Sequence, residues 1–483
     1  MSESRDHAAP ARAADPFVLL DATAQAELVR RHEASPQELV EAAITRIEAV
    51  NGPINAVVHK LYDQARAKAS GPVGEGPFAG VPFLIKDLLP VAGVPNTSSC
   101  RALADTVGQD SPPYTAAFDD AGLILVGLTN TPEFGLIDTT EPALRGPSRN
   151  PWNLAHSTGG SSGGSGAAVA AGLTPMAHAN DGGGSIRLPA CHNGVFGLKP
   201  SRGRHLDDGF GTMPLGLPNL PVQHVLTRSV RDSALMLSLS EDPRTPLGRL
   251  GFVSEPLDRP LRVALIREGT HGLPASPDVD AATLSVARLC EDLGHAVEPM
   301  RWPFGGEVMA AFLDEWCLLA GGTVASTCEA TGCKPEPPNF EPWTLALAER
   351  AAAMTLERVE VVVSTLYAAT LQLTSLFETY DVLLSPVVRH PPKLIGDHAT
   401  DQPMQDLWDK AVDNIAYTPV FNASGMPAMS IPLSWSPTGL PIGSQFAAGL
   451  GKDGLLLALA YQLEAALPWS DKWAPYGYPA LQS

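Results

Sequence analysis

Ser157-Thr158-Gly159-Gly160-Ser161-Ser162-Gly163-Gly164-Ser165-Gly166, running into Ala167-Ala168-Val169-Ala170-Ala171, is the stretch on which the reading of this chain turns. Glycines and serines ahead of an alanine helix put backbone NH groups at a helix N-terminus, where negative charge is stabilised. A phosphate loop would end in Lys followed by Ser or Thr, and that Lys is missing. A dinucleotide loop would need G-x-G-x-x-G, which the run lacks. Gly160-Ser161-Ser162-Gly163-Gly164 matches the G-x-S-x-G nucleophile elbow in form, but that elbow must follow a buried strand, and Asn150 to Thr158 reads as turn.

A second glycine cluster follows: Asn180-Asp181-Gly182-Gly183-Gly184-Ser185-Ile186-Arg187-Leu188-Pro189-Ala190. Three glycines before a serine leave the backbone free to aim consecutive NH groups at one spot, as an oxyanion hole requires. Gly182, Gly183, Gly184 and Ser185 are the candidate donors, and Ser185 sits where attack would occur. Upstream, Gly80-Val81-Pro82-Phe83-Leu84-Ile85-Lys86-Asp87 carries a lysine off the end of an apolar strand. Burial there would disfavour the charged ammonium and lower its pKa. Taken singly, a Gly-Ser loop is more often a turn, and a strand-end lysine more often reaches solvent. Their coincidence in one chain is the signal.

Outward from this centre, Ser35-Pro36-Gln37-Glu38 forms a capping box with Pro at the first helical position, ahead of Leu39, Val40, Ala43, Ile44, Ile47 and Val50 at helical spacing. β-type runs at Phe83–Ile85, Leu123–Leu128, Leu261–Ile266 and Val382–Leu384 alternate with helical patterns such as Ala281–Leu293, closed by Gly294. That alternation predicts an α/β layered fold, read as one domain with a central sheet. Trp302, Phe304, Phe312, Trp316, Phe340 and Trp343 lie among prolines and glycines and fit either an edge of the core or a substrate-pocket wall.

The 483 residues carry 52 acidic and 33 basic side chains, a formal charge of −19 that repels phosphate backbones and anionic membrane surfaces. Nucleic acid and membrane are therefore not expected partners. Val361–Phe377, the longest uncharged apolar stretch, holds six Ser, Thr or Gln residues and predicts a helix beside the core or a pocket rather than a hydrocarbon span. Met1–Phe17 mixes charges, alanines and prolines without an apolar h-region, so residues 1–16 are expected to be a disordered tail and the protein cytoplasmic. Six scattered cysteines are expected as reduced thiols, and Cys328 and Cys333 lack zinc-ligand spacing, so no metal site is expected.

The strand-lysine motif, G-G-S-S-G-G-S-G-A and G-G-S-I-R occur in an order that resembles the amidase signature family, and Ser161 and Ser185 stand 24 residues apart as that pattern requires. Thr129-Asn130-Thr131-Pro132-Glu133-Phe134-Gly135, Gly197-Leu198-Lys199-Pro200, Arg228-Ser229-Val230-Arg231-Asp232 and Phe421-Asn422-Ala423-Ser424-Gly425 extend the resemblance over nearly the whole chain. It implies one amidase signature domain over 17–483, a large mixed sheet with helices on both faces, with core motifs in 80–232, a variable pocket segment near 300–400 and a C-terminal core segment at 415–470. It also implies a Ser-Ser-Lys triad: neutral Lys86 as base, Ser161, on a cis peptide bond, as proton relay, and Ser185 as nucleophile. The resemblance calls for no metal and no cofactor. Gly182 departs from the pattern, since the family often carries a side-chained residue such as Thr at that position.

Within the family the chain is similar to the hydrolases of cyclic nylon oligomers, through Asp21–Arg30 and Asp314-Glu315-Trp316-Cys317. This implies a small or oligomeric non-peptide amide as substrate, with Cys317, Trp316 and Phe134 as candidate pocket residues; core packing is the competing role for Cys317. Carbamates and aryl acylamides are alternatives within the class. The chain length also suits the amidase subunit of the tRNA-dependent amidotransferases, from which Thr131–Phe134 and Leu188 depart, and a non-catalytic assembly subunit is the alternative from another class. For the amidase reading a homodimer is the expected assembly. His156 and His192 are expected to pack rather than react.

Overall fold

The computed structural model describes residues 15–482. Its strands are β1 (Val57–Lys60), β2 (Pro82–Lys86), β3 (Ile124–Thr129), β4 (Arg149–Asn150), β5 (Asn153–Ser157), β6 (Met176–Asp181), β7 (Phe196–Lys199), β8 (Val222–Thr227), β9 (Arg262–Ile266), β10 (Ala296–Met300), β11 (Val382–Pro386), β12 (Ala428–Trp435) and β13 (Pro441–Ala448). Among the described residues, eleven of them form one sheet in the order β1-β3-β2-β6-β8-β7-β12-β13-β11-β9-β10, and β4 pairs with β5 in a separate ribbon. The sheet is mixed. β3, β2 and β6 run parallel, as do β11, β9 and β10. The pairs joining these two blocks through β8, β7, β12 and β13 are antiparallel.

Helices cover both faces, which is why the strands read as continuous apolar runs rather than as alternating ones. In β9, Val263 and Leu265 join one buried cluster while Ala264 and Ile266 join another, and β11 divides Val382 and Leu384 from Leu383 in the same way. The capping box forms as expected at the start of the helix Pro36–Ile54. The helix expected over Ala281–Leu293 begins a turn earlier, with Pro277 in its first turn, and stops where Gly294 takes a φ of +91°. The Asn150–Thr158 segment, expected as turn, contains β5, a ribbon strand whose residues are mostly partly exposed. It does not supply the buried strand that a nucleophile elbow needs.

Glu307–Thr331 and Leu356–Thr379 are each long and apolar enough by composition to cross a membrane. Here Val359, Val362, Leu366, Ala369, Leu373 and Leu376 make a buried stripe, packed in one cluster with Val308, Phe312 and Leu313 of the other helix. Residues 1–14 of the expected tail lie outside the described residues. Asp15, assigned to that tail from sequence, is instead anchored: Arg46, 1% exposed, donates from Nη1 to Asp15 Oδ2 at 2.7 Å.

Candidate active site

β2 and β6 lie side by side and parallel, with Leu84 opposite Ala177, so their carboxyl ends open into one crevice. β2 ends on Lys86, and β6 ends on Asn180 and Asp181, just before the Gly182–Ser185 loop. Ser161 arrives from the β4–β5 ribbon across a cis Gly160–Ser161 peptide, immediately before the helix Gly163–Ala170. The topology thus gathers three residues separated by up to a hundred positions in sequence.

Lys86 is wholly buried, and its Nζ lies 2.6 Å from Ser161 Oγ, 3.0 Å from Ser162 Oγ and 2.6 Å from Asn180 Oδ1. Burial holds its pKa well below the ordinary 10.5, and the charge of Asp181 restores only part of that drop. The partners define the proton pattern. Asn180 Oδ1 can only accept, and Ser162 Oγ spends its own hydrogen on the Asn180 carbonyl at 3.2 Å, so it too accepts from the lysine. A neutral amine has two hydrogens and one lone pair. In that form the two hydrogens would serve Asn180 and Ser162, leaving the lone pair for the Ser161 hydroxyl; as the ammonium, Nζ donates to all three. Asn180 and Ser162 were quoted in the sequence motifs but given no part; their role depends on the pairing of β2 with β6.

The glycine loop is shaped by an ion pair that the sequence reading did not single out. Asp181 and Arg187 are fully buried and bidentate, with Nε to Oδ2 and Nη2 to Oδ1 both at 2.9 Å. Burial alone would raise the Asp181 pKa, but the Arg187 charge and its hydrogen bonds pull it below the ordinary carboxylate value. Arg187 also donates to Thr418 O, Gln445 Oε1 and Asn422 Oδ1, tying the loop to the C-terminal segment. Asp181 Oδ1 accepts the Gly184 NH at 2.7 Å, so that expected oxyanion donor is already engaged. Gly184 has a φ of +136°, and a Cβ there would lie 2.3 Å from Leu188 Cδ1, which fixes it as glycine. Among the described residues no backbone acceptor takes the NH groups of Gly182, Gly183 and Ser185.

Ser185 opens on two cavities. The wider, about 430 Å³, is also lined by Ser161, Asn180, Gly182, Phe134 and Asn219. The narrower, about 50 Å³, is walled largely by Leu188, Phe312, Trp316, Trp343, Trp408 and Ile415. Trp316 borders both cavities, and Phe134 borders the wider one while stacking on Phe340. Cys317 does not reach either cavity. One position further round the helix than Trp316, it is fully buried in a cluster with Leu136, Ile137, Ala320, Trp343 and Leu347. The aromatic segment divides likewise: Phe312, Trp316 and Trp343 form cavity wall, while Trp302 and Phe304 stack on each other beside Phe421. His192 is buried with neither ring nitrogen paired, and His156 is half-buried, so neither contributes to the Lys86 cluster.

A buried lysine hydrogen-bonded to a serine, beside a second serine in a glycine loop, on a mixed sheet covered on both faces, defines a hydrolase of the amidase signature type. The family model described as Amidase matches residues 38–457. A putative amidase, AmiC, of Mycobacterium tuberculosis is 39% identical over 464 residues, covering 94% of this chain and 96% of that protein. The structure of 6-aminohexanoate cyclic dimer hydrolase superposes with a TM-score of 0.86 at 34% identity, covering 96% of this chain and 100% of the other. A bacterial aryl acylamidase gives 0.85 at 30% identity, with 94% and 98% covered. The chain belongs to the amidase signature family.

Proposed function

We propose that the protein is an amidohydrolase that cleaves the C–N bond of a small or oligomeric non-peptide amide, with Ser185 as nucleophile, Ser161 as proton relay and Lys86 as base. The observation that carries this is the Lys86 amine itself: wholly buried, held below its ordinary pKa by that burial, and 2.6 Å from Ser161 Oγ. Ser185 Oγ attacks the carbonyl carbon, its proton passes to Ser161, and the Ser161 proton passes to Lys86 Nζ. The oxyanion is held by NH groups of the Gly182–Ser185 loop, among which those of Gly182, Gly183 and Ser185 are free to donate while that of Gly184 is committed to Asp181. As the C–N bond breaks, the proton returns from Lys86 through Ser161 to the leaving nitrogen. Water then clears the acyl-enzyme by the same relay.

Similarity to an enzyme acting on 6-aminohexanoate cyclic dimer and to an aryl acylamidase supports non-peptide amides, linear or cyclic, as the substrate class. A carbamate, an amide carrying one extra ester oxygen, can open by the same route. The test is turnover of a panel of acyl anilides, lactams and aryl carbamates by wild type and Ser185→Ala. Release of amine by wild type and none by the variant is expected; equal release by both would overturn the assignment.

A further inference from the structure

Gly182 and Trp316 form a matched pair. A Cβ built on Gly182 would lie 3.0 Å from Trp316 Cζ3 and 3.2 Å from Cη2, so a side chain at 182 and the indole compete for one volume. The indole is held on two other sides. Its Nε1 donates to Leu136 O at 3.1 Å, and its ring stacks on Phe312 with centroids 5.8 Å apart and planes at 24°. Leu136 and Trp316 both border the narrow chamber and the wide cleft, so the hydrogen bond between them closes the wall that divides the two.

The geometry of proton transfer orients the substrate across that wall. Ser161, which must hand a proton to the leaving nitrogen, borders the wide cleft and not the narrow chamber. The amine half therefore lies in the cleft, and the acyl substituent, on the other side of the carbonyl carbon, points into the narrow chamber. With about 50 Å³ of space and side-chain walls that are apolar apart from Asp138, already paired with His398, and Ser185 itself, that chamber admits a short apolar acyl group.

We infer that Trp316 is a specificity-determining residue that limits the length of the acyl group, and that Gly182, having no side chain to displace the indole, leaves it the space to do so. This rests on Ser185 being the nucleophile, and the test separates the two claims. The kcat/KM of wild type, Trp316→Ala and Trp316→Phe is measured on acetyl, butyryl, hexanoyl and octanoyl p-nitroanilides, alongside the rate of Ser185 labelling by a small methyl fluorophosphonate. Wild type is expected to favour the short acyl groups. Trp316→Ala raises the hexanoyl-to-acetyl ratio by about tenfold or more, the effect of a few methylenes gaining a pocket, and Trp316→Phe raises it less. Leu319→Ala, on the same helix but bordering the wide cleft alone, leaves that ratio unchanged. An unchanged acyl-length profile in a Trp316 variant that still labels normally overturns the inference. If Trp316→Ala does not label, Trp316→Phe decides by the same criterion. A wild type that never labels at Ser185 overturns the nucleophile assignment and this inference with it.

Discussion

Replacing Asn180 by aspartate changes one atom group of the cluster and puts a negative charge where a neutral carbonyl accepts from Lys86. At the 2.6 Å separation of Nζ and Oδ1, a carboxylate would favour the ammonium by about 6 kcal/mol at an effective dielectric constant of about 20. That corresponds to roughly 4–5 pH units before the cost of burying the new carboxylate is subtracted. The expected net upward shift of the Lys86 pKa is about 2 units, within the range known for opposite charges in contact. Only the neutral amine is a base, so activity rises with pH through this ionisation, and in wild type the rise is centred well below 10.5 because burial depresses the group. In Asn180→Asp the whole limb moves to higher pH. One unit above the wild-type midpoint the variant is then about tenfold slower, and it recovers as pH is raised. The assay is kcat/KM for an acyl anilide across the stable pH range, with enzyme integrity checked by return to neutral pH. An unshifted limb, or a loss of rate that is the same at every pH, would refute Lys86 as the base.

Arg187→Met leaves Asp181 buried without its ion-pair partner and should cost about 3–5 kcal/mol of stability, seen as a lowered denaturation midpoint; a loss below about 1 kcal/mol would contradict the role given to this pair. Cys317→Ala, a change in a core position away from both cavities, should leave KM within about twofold while lowering stability by about 1 kcal/mol; a large KM change would return Cys317 to the substrate site. His398 Nδ1 lies 2.8 Å from Asp138 Oδ1, and although burial opposes the imidazolium, the Asp138 charge and hydrogen bond raise its pKa above 6.5. Asp138, for which burial is outweighed by His398, is held below 3.8. The His398 contribution to stability is thus complete below about pH 6.5 and lost as pH rises through the higher folded value; that of Asp138 is present above about 3.8 and lost as pH falls through its lower one. Melting temperature should decline above neutrality in wild type and decline less in His398→Gln, and parallel curves for the two would remove this pair as the cause.

Lys86, Ser161 and Ser185 could be singled out in the sequence because each sits in a local pattern, a strand end or a glycine run, that is readable from neighbours a few residues away. What it left unassigned depends on contacts between strands and loops far apart in the chain. Asn180 orients the lysine only because β2 lies beside β6. The Gly184 NH counts as an oxyanion donor from sequence, yet Asp181, three residues back, claims it once Arg187 fixes the carboxylate. Gly182 stands out in the sequence only as a departure from the family pattern, and the structure shows Trp316, from a helix far along the chain, against that position. Cys317 and Trp316 are adjacent in sequence, but helical geometry turns them roughly 100° apart, one to the core and one to the site. The strand runs were legible as such, whereas the order of eleven strands follows from pairings that no local pattern encodes.

The covalent step at Ser185 is the point at which the mechanism is most directly tested. Wild-type protein treated with a fluorophosphonate and digested should carry one adduct, on the peptide containing Ser185, and Lys86→Ala should acquire it far more slowly at neutral pH. An adduct on Ser161 or Ser162 instead, or an enzyme that turns over amides while remaining unlabelled, would contradict it.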